Sequence, residues 1–368
     1  MRDWLEPLAG GVVLAITLLD VFLTILYARA GTGLLAPRLA KGVGRAFHRL
    51  SDRRNPNLLN YCGPVQLVAL VIVWGALLAF GSGLVIHPAL GTGVKSSSGA
   101  TDTDFVTALF VGGSSMSIVG ASDYGPTSPG YKLLFLFNSL VGMSVTSLTL
   151  TYLMQVYTAL RNRNSVGLML QAQTGETGDA AELLARWGPR GRFDGGYNNL
   201  STLAADIAAI KETHHFYPLL FYFRFEEAYY APSRILLITL DASALVRTAL
   251  NPRDLGWLQQ SAALVELEGV STLLLRTLNQ SFPVQHRPSV DSAQSRERSR
   301  VRYGQALLRL REAGIPTRAD SEAAAHEYVQ LRASWEPAIE ALAPALGFRM
   351  EEVDTAGYNG CPRAEDRG

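Results

Sequence analysis

The residues best placed to do chemistry lie between Asp104 and Tyr157. A short apolar segment, Phe105–Met116, leads into Ser117-Ile118-Val119-Gly120-Ala121-Ser122-Asp123, then a turn at Pro126 and Pro129, then an uncharged run from Leu133 to Tyr157. A half-length helix, a glycine-containing loop ending in an aspartate and a full-length membrane helix have the layout of a pore loop. Non-helical backbone at membrane depth is tolerated only where protein buries it or where it lines a water-filled cavity. Such a cavity makes ion passage the first hypothesis. Asp102, Asp104 and Asp123 cluster at the mouth of the loop, opposed by Lys95 and Lys132. Acidic rings favour cations electrostatically, and a solvated loop with incidental acids is the alternative.

The elements that must hold this loop are apolar helices. A span needs roughly 18 or more apolar residues with few charges. Residues 8–27 qualify with Asp20 as their one charge, and residues 63–86 and 133–157 qualify with none. Phe105–Met116 is too short to cross and suits a re-entrant helix. The connector 28–62 carries Arg29, Arg38, Lys41, Arg45, Arg49, Arg53 and Arg54 against Asp52 alone. By the positive-inside rule it is cytoplasmic, which leaves the amino terminus and the loop outside and the carboxy-terminal half inside. Asp20, mid-span, is a functional-site candidate by default; a structural polar contact is the favoured reading. Gly142 suits either a hinge in the third span or tight helix packing. Asn138, Ser139, Thr146, Thr149 and Thr151 give that span a polar face, which suits a water-lining helix or hydrogen bonds between helices.

Around the loop the sequence resembles the bacterial pore-loop channels of the potassium-channel superfamily, over about a quarter of the chain. In that family a filter of the form T-T-V-G-Y-G-D is followed by a proline. Val119, Gly120, Asp123 and Pro126 match, Ser117 stands in for the first threonine, and Ile118, Ala121 and Ser122 depart. The resemblance implies a homotetramer in the bacterial plasma membrane, with carbonyls of the filter replacing the hydration shell of a monovalent cation, potassium by analogy. It also implies a hinge at Gly142. The departures bear on selectivity: Ile118 lacks the coordinating hydroxyl, Ala121 lacks the aromatic that packs on the pore helix, and Ser122 lacks the backbone freedom of glycine. A non-conducting relative that anchors or senses through its cytoplasmic half is the competing reading.

The remaining chain is ordinary charged sequence, and the whole holds 368 residues with a formal net charge of +1. Apolar residues at helical spacing recur over 199–212, 233–250, 254–278, 301–313 and 322–346, so the fold expected is all-α throughout. The expected divisions are 1–62 for the first span and connector, 63–160 for the pore domain, 165–350 for a helical cytoplasmic domain and 351–368 for a disordered tail. Gly91–Thr103 reads as a flexible loop. The arginine-rich stretch 287–311 reads as a solvated helix or linker, with anionic lipid headgroups as its possible partner. No dinucleotide fingerprint, Walker motif, metal-ligand spacing or nucleophile–base pair is found, so no cofactor, metal or enzymatic activity is expected. His214-His215 and Glu226-Glu227 read as packed or solvated surface. The near-neutral charge of a membrane-tethered chain argues against nucleic acid as a partner.

Overall fold

In the computed structural model the described residues are 4–27, 33–51, 56–117, 120, 123–281 and 292–356. The chain divides into two units, Met1–Arg49 with Cys62–Tyr157 and Leu50–Tyr61 with Thr158–Gly368.

The described residues of the first unit form five helices, the fifth of which continues past Tyr157 into the second unit. They are α1 (Leu5–Val21, continued by a π-helical turn, Phe22–Leu26), α2 (Ala36–Leu50), α3 (Cys62–Ile86), α4 (Phe105–Met116) and α5 (Pro129–Gln173). Segments Leu5–Leu26, Asn57–Ala89 and Pro129–Gln173 are long and apolar enough to cross a membrane, whereas α4 is short and apolar. The third of these extends well beyond residues 133–157 at both ends.

The helices approach closely because glycines line their contacts. A Cβ on Gly10 of α1 would lie 2.5 Å from the Gly81 carbonyl oxygen of α3, and one on Gly112 of α4 would lie 2.6 Å from the Gly83 amide nitrogen. Small residues at such contacts let helix backbones meet where lipid removes the usual hydrophobic drive.

Asp20 is fully buried. Its Oδ1 accepts the backbone amides of Leu34 (2.5 Å) and Leu35 (2.8 Å), and its Oδ2 accepts the Trp74 indole N–H (2.8 Å). The carboxylate therefore joins α1, α3 and the entry to α2, which is the structural use favoured from the sequence.

One correction to the all-helical expectation lies outside the bundle. β1 (Val94–Ser96) and β2 (Tyr124–Pro126) form an antiparallel pair with Lys95 opposite Gly125. Gly91–Thr103, read as a flexible loop, thus carries a strand. Its period-two signal spans only three residues, too few to be seen.

The second unit is all-α within its described residues: α6 (Ala180–Trp187), α7 (Gly196–Phe216), α8 (Pro232–Thr248), α9 (Pro252–Gln259), α10 (Ala262–Ser281), α11 (Ser292–Glu312), α12 (Ser321–Ala345) and α13 (Met350–Val353). Every residue of α8 except Arg247 is buried. The apolar ones join a core with α6, α7, α10, α11 and α12.

Inside that core sits an ion network. Asp241 of α8 accepts from Arg302 Nε (2.8 Å), Arg332 Nη1 (2.8 Å) and the Tyr328 hydroxyl (2.6 Å). Arg302 also pairs with Asp354, and Arg332 with Glu336 at 2.7 Å. Two expectations are corrected here. Arg302, within the stretch read as solvated, is buried because α11 carries it onto the only carboxylate of α8. The tail is helical from Met350, with Asp354 buried, so residues 351–356 are ordered by their ion pairs; residues 357–368 lie outside the described ones.

Burial alone would raise the Asp241 carboxyl, but Arg302 and Arg332 outweigh it and hold the group below the usual carboxylate range. A depressed folded value contributes stability above the unfolded carboxyl range, near pH 3.9, and that contribution is lost as pH falls through the depressed value. Replacing Asp241→Ala leaves two buried guanidinium groups without their shared partner, and about 3–5 kcal/mol of stability is expected to go. Thermal melts followed by circular dichroism check this: the variant melts well below the parent at neutral pH, and the gap narrows in strong acid.

Candidate functional site

The segment that carries the candidate chemistry enters and leaves at one end of the first unit. Asp104 caps α4, its Oδ1 accepting the Thr107 amide (2.9 Å) and its Oδ2 the Thr107 hydroxyl (2.7 Å). These bonds, the hydroxyl's first, hold Asp104 below the usual carboxylate range. Such a cap satisfies a donor the helix leaves open. Phe105 lies edge-on to Phe80 and His87 near the end of α3. At the other end of α4, Met116 is packed with Leu14 of α1 and Leu78 of α3, flanked by Val141 and Val145 of α5. Ser117 then takes an extended conformation and ends the helix. By Tyr124 the chain is back at the hairpin, where the Asp123 carbonyl accepts the Ser97 amide at 2.9 Å.

Of the predicted filter, Ser117, Gly120 and Asp123 are described; Ile118, Val119, Ala121 and Ser122 lie outside the described residues. Gly120 has φ +74°, a left-handed backbone that L side chains adopt reluctantly, with open space around its α-carbon. Its amide donates to the Ser117 carbonyl at 3.2 Å. The glycine is needed here for backbone angle, not for room. Tyr124 lies edge-on to Phe110 of α4 at 6.5 Å, so an aromatic does brace the loop against α4, three positions beyond Ala121.

Asp102, Asp104 and Asp123 are all exposed at the hairpin end. Asp104 is committed to its cap. Gly142 lies against α4: a Cβ there would collide with the Met116 carbonyl. Helix α5 runs unbroken through that point. Close packing therefore accounts for the glycine in this conformation.

Asn138 is buried, not on a water-lining face. Its Nδ2 donates to Ser82 Oγ of α3 (2.7 Å) and Ser115 Oγ of α4 (2.9 Å). Sequence reasoning grouped it with Ser139, Thr146 and Thr151, which are exposed. The sign that sets it apart is its position four residues before Gly142, on the face that α4 touches.

Below the end of α4 lies a hollow of about 390 Å³ whose lining includes Trp74, Ser117, Gly142, Thr146 and Thr149. It brings the first filter residue together with the small and hydroxyl residues of α5. The carbonyl end of a helix carries a partial negative charge, roughly half an elementary charge. Here that end is Met116 and Ser117, and both border the hollow.

No family model and no solved structure matches the chain. It is similar to an uncharacterized membrane protein of Bacillus subtilis, YdjJ, at 23% identity over 164 residues, which is 43% of this chain and 46% of that protein. The chain thus spans less than half the length of that relative. Together with the apolar helices, this identifies an α-helical membrane protein.

The packing makes a direct prediction. Gly142→Ala is expected to cost about 1–3 kcal/mol through its collision with backbone. A Cβ at Gly75, inside α3, meets nothing within 4 Å, so Gly75→Ala should not destabilise and should add up to about 1 kcal/mol through helix propensity. Unfolding midpoints of the two variants in detergent, compared with the parent, decide it.

Proposed function

We propose that four copies of this chain enclose a cation pore of the potassium-channel type. Ser117, Ile118, Val119, Gly120, Ala121, Ser122 and Asp123 form an altered filter, and α4 acts as a re-entrant pore helix. The observation that carries this reading is the hollow beneath α4. The electronegative end of a half-length helix borders a largely apolar space into which Ser117, Thr146 and Thr149 bring three hydroxyls. A cation halfway across a bilayer lacks bulk water, and oriented carbonyl dipoles with hydroxyls offset that loss.

Two further facts support the reading. Leu136, Leu140, Met143, Leu150 and Met154 of α5 are exposed in a single copy. Other subunits and lipid would cover them. The basic connector supports a cytoplasmic second unit and an outside amino terminus, and the resemblance supports a bacterial plasma membrane. The departures at Ile118, Ala121 and Ser122 make loose selectivity among monovalent cations the expectation.

Two measurements test this. Light scattering of the detergent-solubilised protein should give a fourfold particle; a monomer or dimer leaves the loop too few copies to enclose an axis. Liposomes holding the protein should pass monovalent cations with weak preference. The variant combining Ile118→Thr, Ala121→Tyr and Ser122→Gly should then favour potassium over sodium by at least about tenfold, worth about 1.4 kcal/mol. Absence of flux under every gradient and voltage would leave the membrane helices as an anchor for the second unit.

A further inference from the structure

Helix α2 has a face that the proposed pore does not use. Arg38, Lys41, Arg45 and Arg49 follow one another at spacings of three and four, and all are exposed. That spacing places them on one side of the helix. Leu39, Val43 and Phe47 recur every fourth residue on the opposite side and are half-buried. Residues 36–50 contain no acid, and among the described residues none of the four cations is in an ion pair. Like charges so spaced repel one another along a helix surface, so the stripe works against its own helix unless something anionic lies on it.

The anchorage of α2 says where the stripe runs. Its entry is held at Asp20, beside Trp74, within the spans. Ala36 and Leu39 pack on Val21, Leu70 and Trp74. One turn after Ala36, the Ala40 carbonyl accepts from Gln66 Nε2 at 3.1 Å, and Gln66 lies eight residues closer to the start of α3 than Trp74. The helix therefore descends alongside α3 toward the end of the membrane span. At about 1.5 Å per residue, Arg49 lies some 14 Å beyond Ala40 along the axis. Arg38 and Lys41 thus start at the edge of the hydrocarbon, where long basic side chains extend toward headgroups, and Arg45 and Arg49 continue outward.

We infer that the basic face of α2 is a binding surface for anionic phospholipid headgroups of the leaflet it descends into. Amphipathic helices with this division bind membranes through apolar area on one face and attraction to anionic lipid on the other. Charge complementarity selects the occupant. A zwitterionic headgroup has no net charge to offset the stripe, and free phosphate lacks the acyl chains that hold a headgroup at the membrane surface. The inference depends on the spans crossing a bilayer and holds whether or not the chain conducts.

The test uses the full chain reconstituted in phosphatidylcholine with trace spin-labelled lipid. Motionally restricted phosphatidylglycerol should exceed restricted phosphatidylcholine by about fivefold at low salt, and less at high salt. The variant with Arg38→Gln, Lys41→Gln, Arg45→Gln and Arg49→Gln should lose that preference, because glutamine keeps the helix but removes the charge. The charge-preserving variant Arg38→Lys, Arg45→Lys and Arg49→Lys should retain it, which shows that a loss in the glutamine variant is not misfolding. The inference is overturned if the parent shows no preference, or if the glutamine variant keeps it.

Discussion

Three consecutive small residues, Gly81, Ser82 and Gly83, set the terms on which the membrane helices meet. Successive side chains on a helix point about 100° apart, so a tripeptide addresses three directions at one level. Gly81 faces Gly10 and Leu14 of α1, Ser82 bonds Asn138 of α5, and Gly83 lies against the Leu109 backbone of α4. Helix α3 is therefore the hub, and its contacts require residues smaller than alanine on two sides and a hydroxyl on the third. With α4 seated on that hub, its last carbonyl meets α5 at Gly142, and the depth of the Ser117 hollow follows.

Each unit also buries a carboxylate, and the two solve the problem differently. Asp20 is satisfied by neutral donors, two backbone amides and an indole. Among the described residues no cation meets it; the amides at the entry to α2 supply the positive end of a helix instead. Asp241 is met by two guanidinium groups and a phenol, and the excess charge passes on to Glu336 and Asp354. One arrangement joins three helices at the membrane. The other ties Asp354, through Arg302, to the most buried helix of the second unit.

What could be read in the sequence follows from how each feature is encoded. Spans and the helices of the second unit are written in apolar periodicity, a local property; the observed α7, α8 and α12 fall close to the expected windows, while the window 254–278 divides into α9 and α10. The short α4 after Asp104 was legible because a cap and a break are also local signals. Partners are not. That Asp20 meets Leu34, Leu35 and Trp74, or that Arg302 crosses to Asp241, depends on which faces three-dimensional packing brings together. Arg302 looked solvated because its neighbours Arg298 and Arg300 set the tone of the stretch. Asn138 looked like its exposed hydroxyl companions for the same reason. The hairpin was hidden by brevity, since its strands take their stability from each other across almost thirty residues.

That hairpin has a geometric consequence. β1 precedes α4 and β2 follows it, and the Ser97 amide closes on the Asp123 carbonyl. The ladder thus ties together the two ends of the segment that contains α4. Helix α4 rises about 18 Å from the Asp104 cap to Met116. The distance from the hairpin to Ser117 is therefore a count of residues in one short helix, and adding or removing a turn there would move Ser117 off its seat beside Gly142.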